Sequence, residues 1–114
     1  MSLDKISEYQ KAFDERHFKN WNESADKLEF LQSMVVALVG EIGEFANVVK
    51  KAVREKKTLG NEVSGEVLGK LREELTDCFI YIVILANRLG MDLEKEYYRK
   101  MKVNEKRFEK YRVG

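Results

Sequence analysis

The chain has 114 residues, of which 44% are hydrophobic and 36% are charged, with 21 lysines and arginines against 20 aspartates and glutamates. This length suits one domain over residues 1–114, and the near balance of charge excludes a global field that would recruit nucleic acid or an anionic membrane. The chain has no proline and only seven glycines, so the residues that most strongly break helices are absent or sparse. This composition predicts an all-α fold.

The single cysteine, Cys78, excludes an internal disulfide. It lies in the apolar run 78–84, where a thiol packs as a small hydrophobe, so core packing is favoured over redox chemistry. The start of the chain lacks a basic segment followed by an apolar stretch, and the apolar run 78–86 is too short to cross a bilayer. We therefore expect a cytoplasmic protein with no membrane partner.

Four helices are predicted in chain order. Their expected bounds are about 3–18, 24–56, 66–89 and 92–111. In the first helix, apolar residues recur at helical intervals at Leu3, Ile6, Tyr9 and Phe13. Gly90 is expected to cap the third helix, and Asp92 has the composition of an N-cap for the fourth.

The second and third helices carry apolar residues in nearly every direction, whereas a surface helix shows one stripe. Such helices are buried on more than one side, and in a short chain this predicts assembly as a homodimer or a dimer of dimers. The basic residues that end the second helix are expected to be a solvated helix end rather than a phosphate site. Each of these two helices has one main apolar stripe, predicted from a rotation of about 100° per residue. The stripe of the second helix is Leu31, Val35, Leu38, Ile42, Phe45 and Val49. The stripe of the third helix is Leu71, Leu75, Cys78, Ile82, Leu85 and Leu89.

Acidic pairs interrupt both of these helices, at Glu41 and Glu44 and at Glu74 and Asp77. Glu41 and Glu74 are predicted on the shoulder of their stripes, with Glu44 and Asp77 about 60° further round. An antiparallel pairing across the turn at residues 58–65 would let the four carboxylates converge. Partly desolvated carboxylates call for a cation, and all-oxygen ligation favours Mg²⁺ or Mn²⁺. The alternative is that they are ordinary helix-surface charges paired with basic residues.

The fourth helix offers a row of phosphate-binding groups. Lys100, Asn104 and Arg107 are spaced i, i+4 and i+7, so their ammonium, amide and guanidinium donors lie on one face. Such a row suits phosphate oxygens. It equally suits an exposed polar helix, and the spacing alone leaves both interpretations open.

Three motifs together resemble one family, the all-α nucleoside triphosphate pyrophosphohydrolases of the MazG type, in their dCTP pyrophosphatase-like branch. They lie at residues 37–44, 73–81 and 100–108, and the resemblance extends over about residues 17–111. The segment between the acidic pairs is slightly long for the family. The family pattern, E-x-x-E followed by E-x-x-D, falls on Glu41, Glu44, Glu74 and Asp77.

The resemblance implies a four-helix bundle that cleaves a (deoxy)nucleoside triphosphate between its α and β phosphates. The four carboxylates would hold Mg²⁺, or Mn²⁺ in its place, and perform the catalysis. It also implies that Lys100, Asn104 and Arg107 hold the triphosphate. An aromatic segment ahead of the second helix is further implied to help enclose the nucleobase, with His17, Phe18 and Trp21 as its candidates.

Alternatives remain for these last residues and for the function. Trp21 is equally suited to pin the first helix to the core, and His17 has the character of a surface residue. The single histidine excludes a Ser-His relay and the Glu-x-x-His pairs of a di-iron bundle. The non-enzymatic alternative is a helical interaction module whose apolar faces bind a partner.

Overall fold

The structure is a computed structural model, and it describes residues 2–18 and 26–114. These residues form four α-helices, α1 (Leu3–His17), α2 (Lys27–Leu59), α3 (Gly65–Arg88) and α4 (Leu93–Arg107), followed by a 3₁₀ turn at Glu109–Tyr111. No strand occurs in these two ranges. The predicted all-α fold is therefore confirmed.

Each helix begins at a polar side chain that caps it. The four N-cap residues are Ser2, Asp26, Ser64 and Asp92. Each side-chain oxygen accepts a hydrogen bond from a backbone N–H two or three residues later, at 2.9 to 3.3 Å. The first N–H groups of a helix have no partner within the helix, so these bonds fix where it starts. The prediction of Asp92 as an N-cap is confirmed, whereas the predicted start of α2 at Ser24 or Ala25 lies outside the described residues.

α2 and α3 each end just before a glycine in the left-handed conformation. α2 continues to Leu59, three residues beyond the predicted Lys56, because Gly60 takes the left-handed conformation (φ 73°) that closes a helix without steric cost. Gly90 (φ 65°) ends α3 as predicted, and the N–H of Met91 donates to the carbonyl of Ala86 at 3.1 Å.

α4 is shorter than predicted. It ends at Arg107 rather than near Tyr111, and the chain then tightens into a 3₁₀ turn. The N–H of Phe108 still donates to the carbonyl of Asn104 at 2.9 Å, so the helical bonds continue just past the last helical residue.

α2 and α3 form an antiparallel hairpin joined by residues 60–64. At one end of the hairpin, Phe30 and Met34 of α2 pack with Ile84 of α3, and each is more than nine-tenths buried. The guanidinium of Arg88 lies 4.5 Å from the centre of the Phe30 ring. Burying an apolar side chain of this size contributes roughly 1.5–3 kcal/mol, so these contacts fix the register of the two helices.

α1 packs against α3 of this hairpin through both polar and apolar side chains. Ile6 and Tyr9 are 39% and 71% exposed. The less exposed residues of α1 are Leu3, Ser7, Gln10, Ala12, Phe13 and Asp14. The Nδ2 of Asn87 on α3 donates to the carbonyl of Ser7 at 3.0 Å. α4 in turn packs against α1. The helix predicted from the apolar spacing is therefore confirmed, although of the spaced residues only Leu3 and Phe13 are partly buried.

The predicted stripes of α2 and α3 are only partly covered. Val35 and Ile42 on α2, and Leu75 and Ile82 on α3, are exposed in the single chain. The covered or partly covered members of the two stripes are Leu31, Leu38 and Phe45 of α2 and Leu71, Cys78 and Leu85 of α3. The most buried residues are Phe30 and Met34 on α2, and Val83, Ile84 and Ala86 on α3. Helices that are apolar all round have no single face that periodicity can select, so the partner helix decides which row is covered.

The chain exposes more surface than a compact monomer does. Its accessible surface is 9259 Å², against roughly 6,500 Å² expected for a folded monomer of this size. Its radius of gyration is 18.2 Å, against about 13 Å for a compact domain. Across residues 2–18 and 26–114, no helix combines the length and the hydropathy that crossing a bilayer requires.

Candidate functional site

Three carboxylates converge where α2 and α3 pack together. One carboxylate oxygen from each of Glu41, Glu44 and Glu74 lies within 4.8 Å of the other two. α2 supplies two of these side chains from adjacent turns, and the antiparallel α3 brings the third opposite them. Glu41 and Glu74 are each partly buried, as side chains at the edge of a covered stripe would be, and one carboxylate oxygen of each is buried.

One buried oxygen of Glu41 and one of Glu74, the Oε2 atom in each, have no hydrogen-bond partner among the described residues. The ion pairs among the described residues all join exposed side chains. None of these pairs includes Glu41, Glu44 or Glu74. An unsatisfied buried charge is costly, so ordinary surface ion pairing does not account for this cluster. Its all-oxygen donor set fits a hard divalent cation such as Mg²⁺.

Cys78 lies in the negative field of this cluster. The thiol is buried, as its predicted core packing requires. Burial raises the pKa of Cys78, and the carboxylates of Glu41, Glu74 and Asp77 raise it further because they oppose a thiolate. Cys78 is therefore a neutral packing group beside the site rather than an activated nucleophile.

Asp77, the fourth predicted ligand, lies one turn beyond Glu74 and is exposed. It does not belong to the group of three oxygens. It lines, together with Glu41, a cavity of about 250 Å³ that we call the α1 cavity. The cavity is lined by Gln10, Phe13, Asp14 and Phe18 of α1 and its end, Glu41 of α2, and Asp77, Ile80, Tyr81 and Ile84 of α3. Asp77 as a metal ligand remains a prediction.

Asp14 is a candidate site residue that the sequence analysis missed. It is the one charged side chain among the described residues that is buried, with 8% of its surface exposed. Its Oδ1 accepts a hydrogen bond from the Nε2 of Gln10 at 2.9 Å. Burial raises the pKa of Asp14, and the bond from Gln10 acts in the opposite direction. The spacing places Gln10 and Asp14 one helical turn apart on the same side of α1 as Leu3, but the sequence alone does not show that this side is buried.

The His17 side chain contacts a residue of its own helix, α1. Its ring stacks on Phe13 with 4.3 Å between ring centres, and its Nδ1 lies 2.9 Å from the carbonyl oxygen of Phe13. The side chain is exposed and backs a cavity-lining ring instead of lining the cavity itself. Trp21 lies outside the described residues. The nucleobase contacts expected of both residues remain predictions.

Lys100, Asn104 and Arg107 lie along α4. Among the described residues, no hydrogen bond or ion pair joins them to the carboxylates of α2 and α3. Arg107 lies over the ring of Phe108, with Cζ 5.2 Å from the ring centre, and the Nδ2 of Asn104 lies 3.8 Å from the sulfur of Met101. Their role in binding phosphate therefore remains a prediction.

Comparison with known proteins identifies the class. Residues 30–111, more than half of the chain, match the family model of the MazG nucleotide pyrophosphohydrolase domain. The chain belongs to this family. The matched segment contains all four predicted carboxylates and α4.

Individual relatives agree with this assignment. The chain is 37% identical over 78 residues to human dCTP pyrophosphatase 1, covering 68% of this chain and 45% of the relative. The bovine protein of the same name is 36% identical over 78 residues, with the same coverage. The Gene 37 protein of Mycobacterium phage L5 is 39% identical over 66 residues, covering 58% of this chain and 55% of that protein. The chain thus spans about half the length of these relatives, and no solved structure shows significant similarity to it.

The cluster generates a prediction about stability. Glu74→Gln keeps the shape of the side chain but removes its charge, so without divalent cations the variant should melt at or above the wild-type temperature. Saturating Mg²⁺ should reverse the order, because the wild type gains more from its better site by mass action. Thermal denaturation in EDTA and in Mg²⁺ provides the measurement.

The exposed neighbour Glu73 supplies the matched control. Glu73→Gln should respond to Mg²⁺ as the wild type does. If Mg²⁺ raised the melting temperatures of the wild type and both variants equally, Glu74 would not be a metal ligand. Asp77→Asn, measured in the same way, tests whether Asp77 acts as a fourth ligand.

Proposed function

We propose that this chain hydrolyses a (deoxy)nucleoside triphosphate between its α and β phosphates, giving the monophosphate and pyrophosphate, with Mg²⁺ or Mn²⁺ as cofactor. The partnerless buried oxygens of Glu41 and Glu74, in a chain of this family, carry the proposal. Relatives named dCTP pyrophosphatase support a nucleoside triphosphate as the substrate. Such an enzyme would serve nucleotide-pool housekeeping.

The proposed setting is the cytoplasm, with no nucleic acid or membrane as partner. The lone buried thiol of Cys78 is compatible with a reducing compartment. The near balance of positive and negative residues provides no broad attraction for a polyanion. The substrate must therefore be recognised by local groups.

Four carboxylates perform the proposed reaction. Glu41, Glu44 and Glu74 would hold the cation from the hairpin, and Asp77 would reach it from the side of the α1 cavity. When bound, Mg²⁺ polarises a phosphoryl oxygen. A carboxylate oxygen left free of the cation can accept the proton of the attacking water. The water oxygen would then form the new bond to phosphorus while the P–O bond of the α–β bridge breaks, which releases the monophosphate and pyrophosphate.

Release of pyrophosphate from a panel of nucleoside triphosphates tests this proposal. Activity should require Mg²⁺ or Mn²⁺ and disappear in EDTA. Glu44→Gln and Asp77→Asn should each lower the rate at least about a hundredfold, the scale of losing one preorganised electrostatic group. Glu73→Gln, which alters an exposed carboxylate on the same helix, should stay near the wild-type rate. Full activity of a folded Glu44→Gln variant would contradict the proposed site.

The basic face of α4 is proposed to neutralise the triphosphate, through Lys100, Asn104 and Arg107. Arg107→Ala should weaken binding or turnover of a triphosphate by about 2–3 kcal/mol, as for a charge-assisted contact, and monophosphate binding should suffer much less. Lys110→Ala, at a nearby exposed position beyond α4, is the control. Equal losses for mono- and triphosphate would place Arg107 away from the phosphates.

Homodimers or dimers of dimers are the proposed assembly. Val36 and Val39 on the outer face of α2 are 65% and 62% exposed in the single chain. The chain's surface exceeds that of a compact monomer by roughly 2,800 Å², an area of the size that obligate interfaces cover. Large contiguous apolar patches are rare on monomers.

Light scattering at micromolar concentration should therefore report at least a dimer. Val36→Glu combined with Val39→Glu should shift the population towards monomer, because each charge would be desolvated in an interface. Glu55→Lys, at an exposed charged position of α2, is the control and should leave the mass unchanged. A wild-type monomer under these conditions would contradict the proposal.

The same apolar faces are also what a non-enzymatic interaction module would present. That function gives no reason for two buried carboxylate oxygens without partners. A module that binds another protein and releases no pyrophosphate from any nucleotide would favour the alternative.

A further inference from the structure

The α1 cavity is suited to one part of a nucleotide. Its volume of about 250 Å³ falls below the roughly 300–1,000 Å³ of pockets that enclose a whole drug-sized ligand. Phe13 and Tyr81 contribute aromatic rings to its wall, and Ile84 contributes an apolar side chain. A flat heteroaromatic ring is favoured in such surroundings.

The cavity opens beside the proposed metal site. Glu41 belongs both to the carboxylate group and to the cavity wall, and Asp77 lines the cavity one turn from Glu74. A nucleotide with its phosphates near these carboxylates would therefore have its base within reach of the cavity. This step rests on the proposed function, since it takes a nucleotide as the substrate.

Asp14 is an unusual group in this wall. Its carboxylate is more than nine-tenths buried and forms no ion pair with any described residue. Oδ1 is held by the amide of Gln10, which also lines the cavity, whereas Oδ2 has no hydrogen-bond partner in the described ranges. A buried carboxylate that accepts only one hydrogen bond retains capacity for a ligand that donates another.

We infer that Asp14, positioned by Gln10, makes the α1 cavity selective for nucleobases that carry an exocyclic amino group. Cytosine-type and uracil-type bases differ at this point, with an amino group in one and a carbonyl oxygen in the other. An ionised carboxylate accepts hydrogen bonds but donates none, so it pairs with the amino group and repels the carbonyl. A site built around a buried hydrogen bond discriminates strongly, because the wrong ligand leaves that group unpaired.

Equilibrium binding of dCMP and dUMP, measured by calorimetry, tests the inference independently of catalysis. The wild type should prefer dCMP at least about tenfold. Asp14→Asn keeps the side chain's size but offers a donor as well as an acceptor, so the two affinities should converge. The ratio of kcat/KM for dCTP and dUTP in Mg²⁺ should change in parallel.

Glu15→Gln makes the same carboxylate-to-amide change at the next, exposed position of α1 and should preserve the preference. Gln10→Ala, a change in the positioning residue, should reduce the preference without altering the stabilisation by Mg²⁺. This variant carries the test if Asp14→Asn does not fold. Equal affinity of the wild type for both ligands, or an equal loss of both in Asp14→Asn, overturns the inference.

The two proposals fail in different ways. Preferential binding of dCMP without pyrophosphate release from any triphosphate would sustain base selection by Asp14 and reject the proposed reaction. Pyrophosphate release at equal efficiency from dCTP and dUTP would sustain the reaction and reject the role of Asp14.

Discussion

The register of α2 against α3 is the constraint on which the site depends. One helical turn advances about 5.4 Å, which exceeds the 4.8 Å span of the three carboxylate oxygens. A slip of one turn would therefore separate Glu41 from Glu74. Phe30 and Met34, packed with Ile84 at one end of the hairpin, oppose such a slip through the apolar surface that they bury. These core residues thus help to hold the carboxylates together.

Local signals in the sequence account for most of the fold. Caps and breakers act within a few residues, so Asp92 and Gly90 could be identified without tertiary information. The absence of proline, the sparse and clustered glycines and the helical spacing of apolar residues together indicated the all-α class. The motif spacing likewise placed Glu41, Glu44 and Glu74 together, because an antiparallel hairpin with a short turn has few possible registers. Where α2 ends was misjudged, since the left-handed Gly60 outweighs the basic residues before it.

The covered rows of the helices could not be predicted in the same way. An all-round apolar helix such as α2 offers several equivalent stripes, and only its packing against α3 covers Met34 while leaving Val35 exposed. Asp14 escaped prediction for a related reason. Its significance depends on burial against the hairpin, which no spacing within α1 reveals.

The hairpin uses opposite faces for opposite purposes, and this links stability to chemistry. Its inner row places charged oxygens of Glu41 and Glu74 where water is excluded, which costs stability unless a cation is present. Its outer face, with Val36 and Val39, leaves apolar area uncovered in the single chain. Covering that apolar area on self-association would stabilise the hairpin, and this stabilisation would offset the cost of burying the oxygens of Glu41 and Glu74. The two demands fall on the same pair of helices, so a partner chain would stabilise the register that holds the carboxylates together.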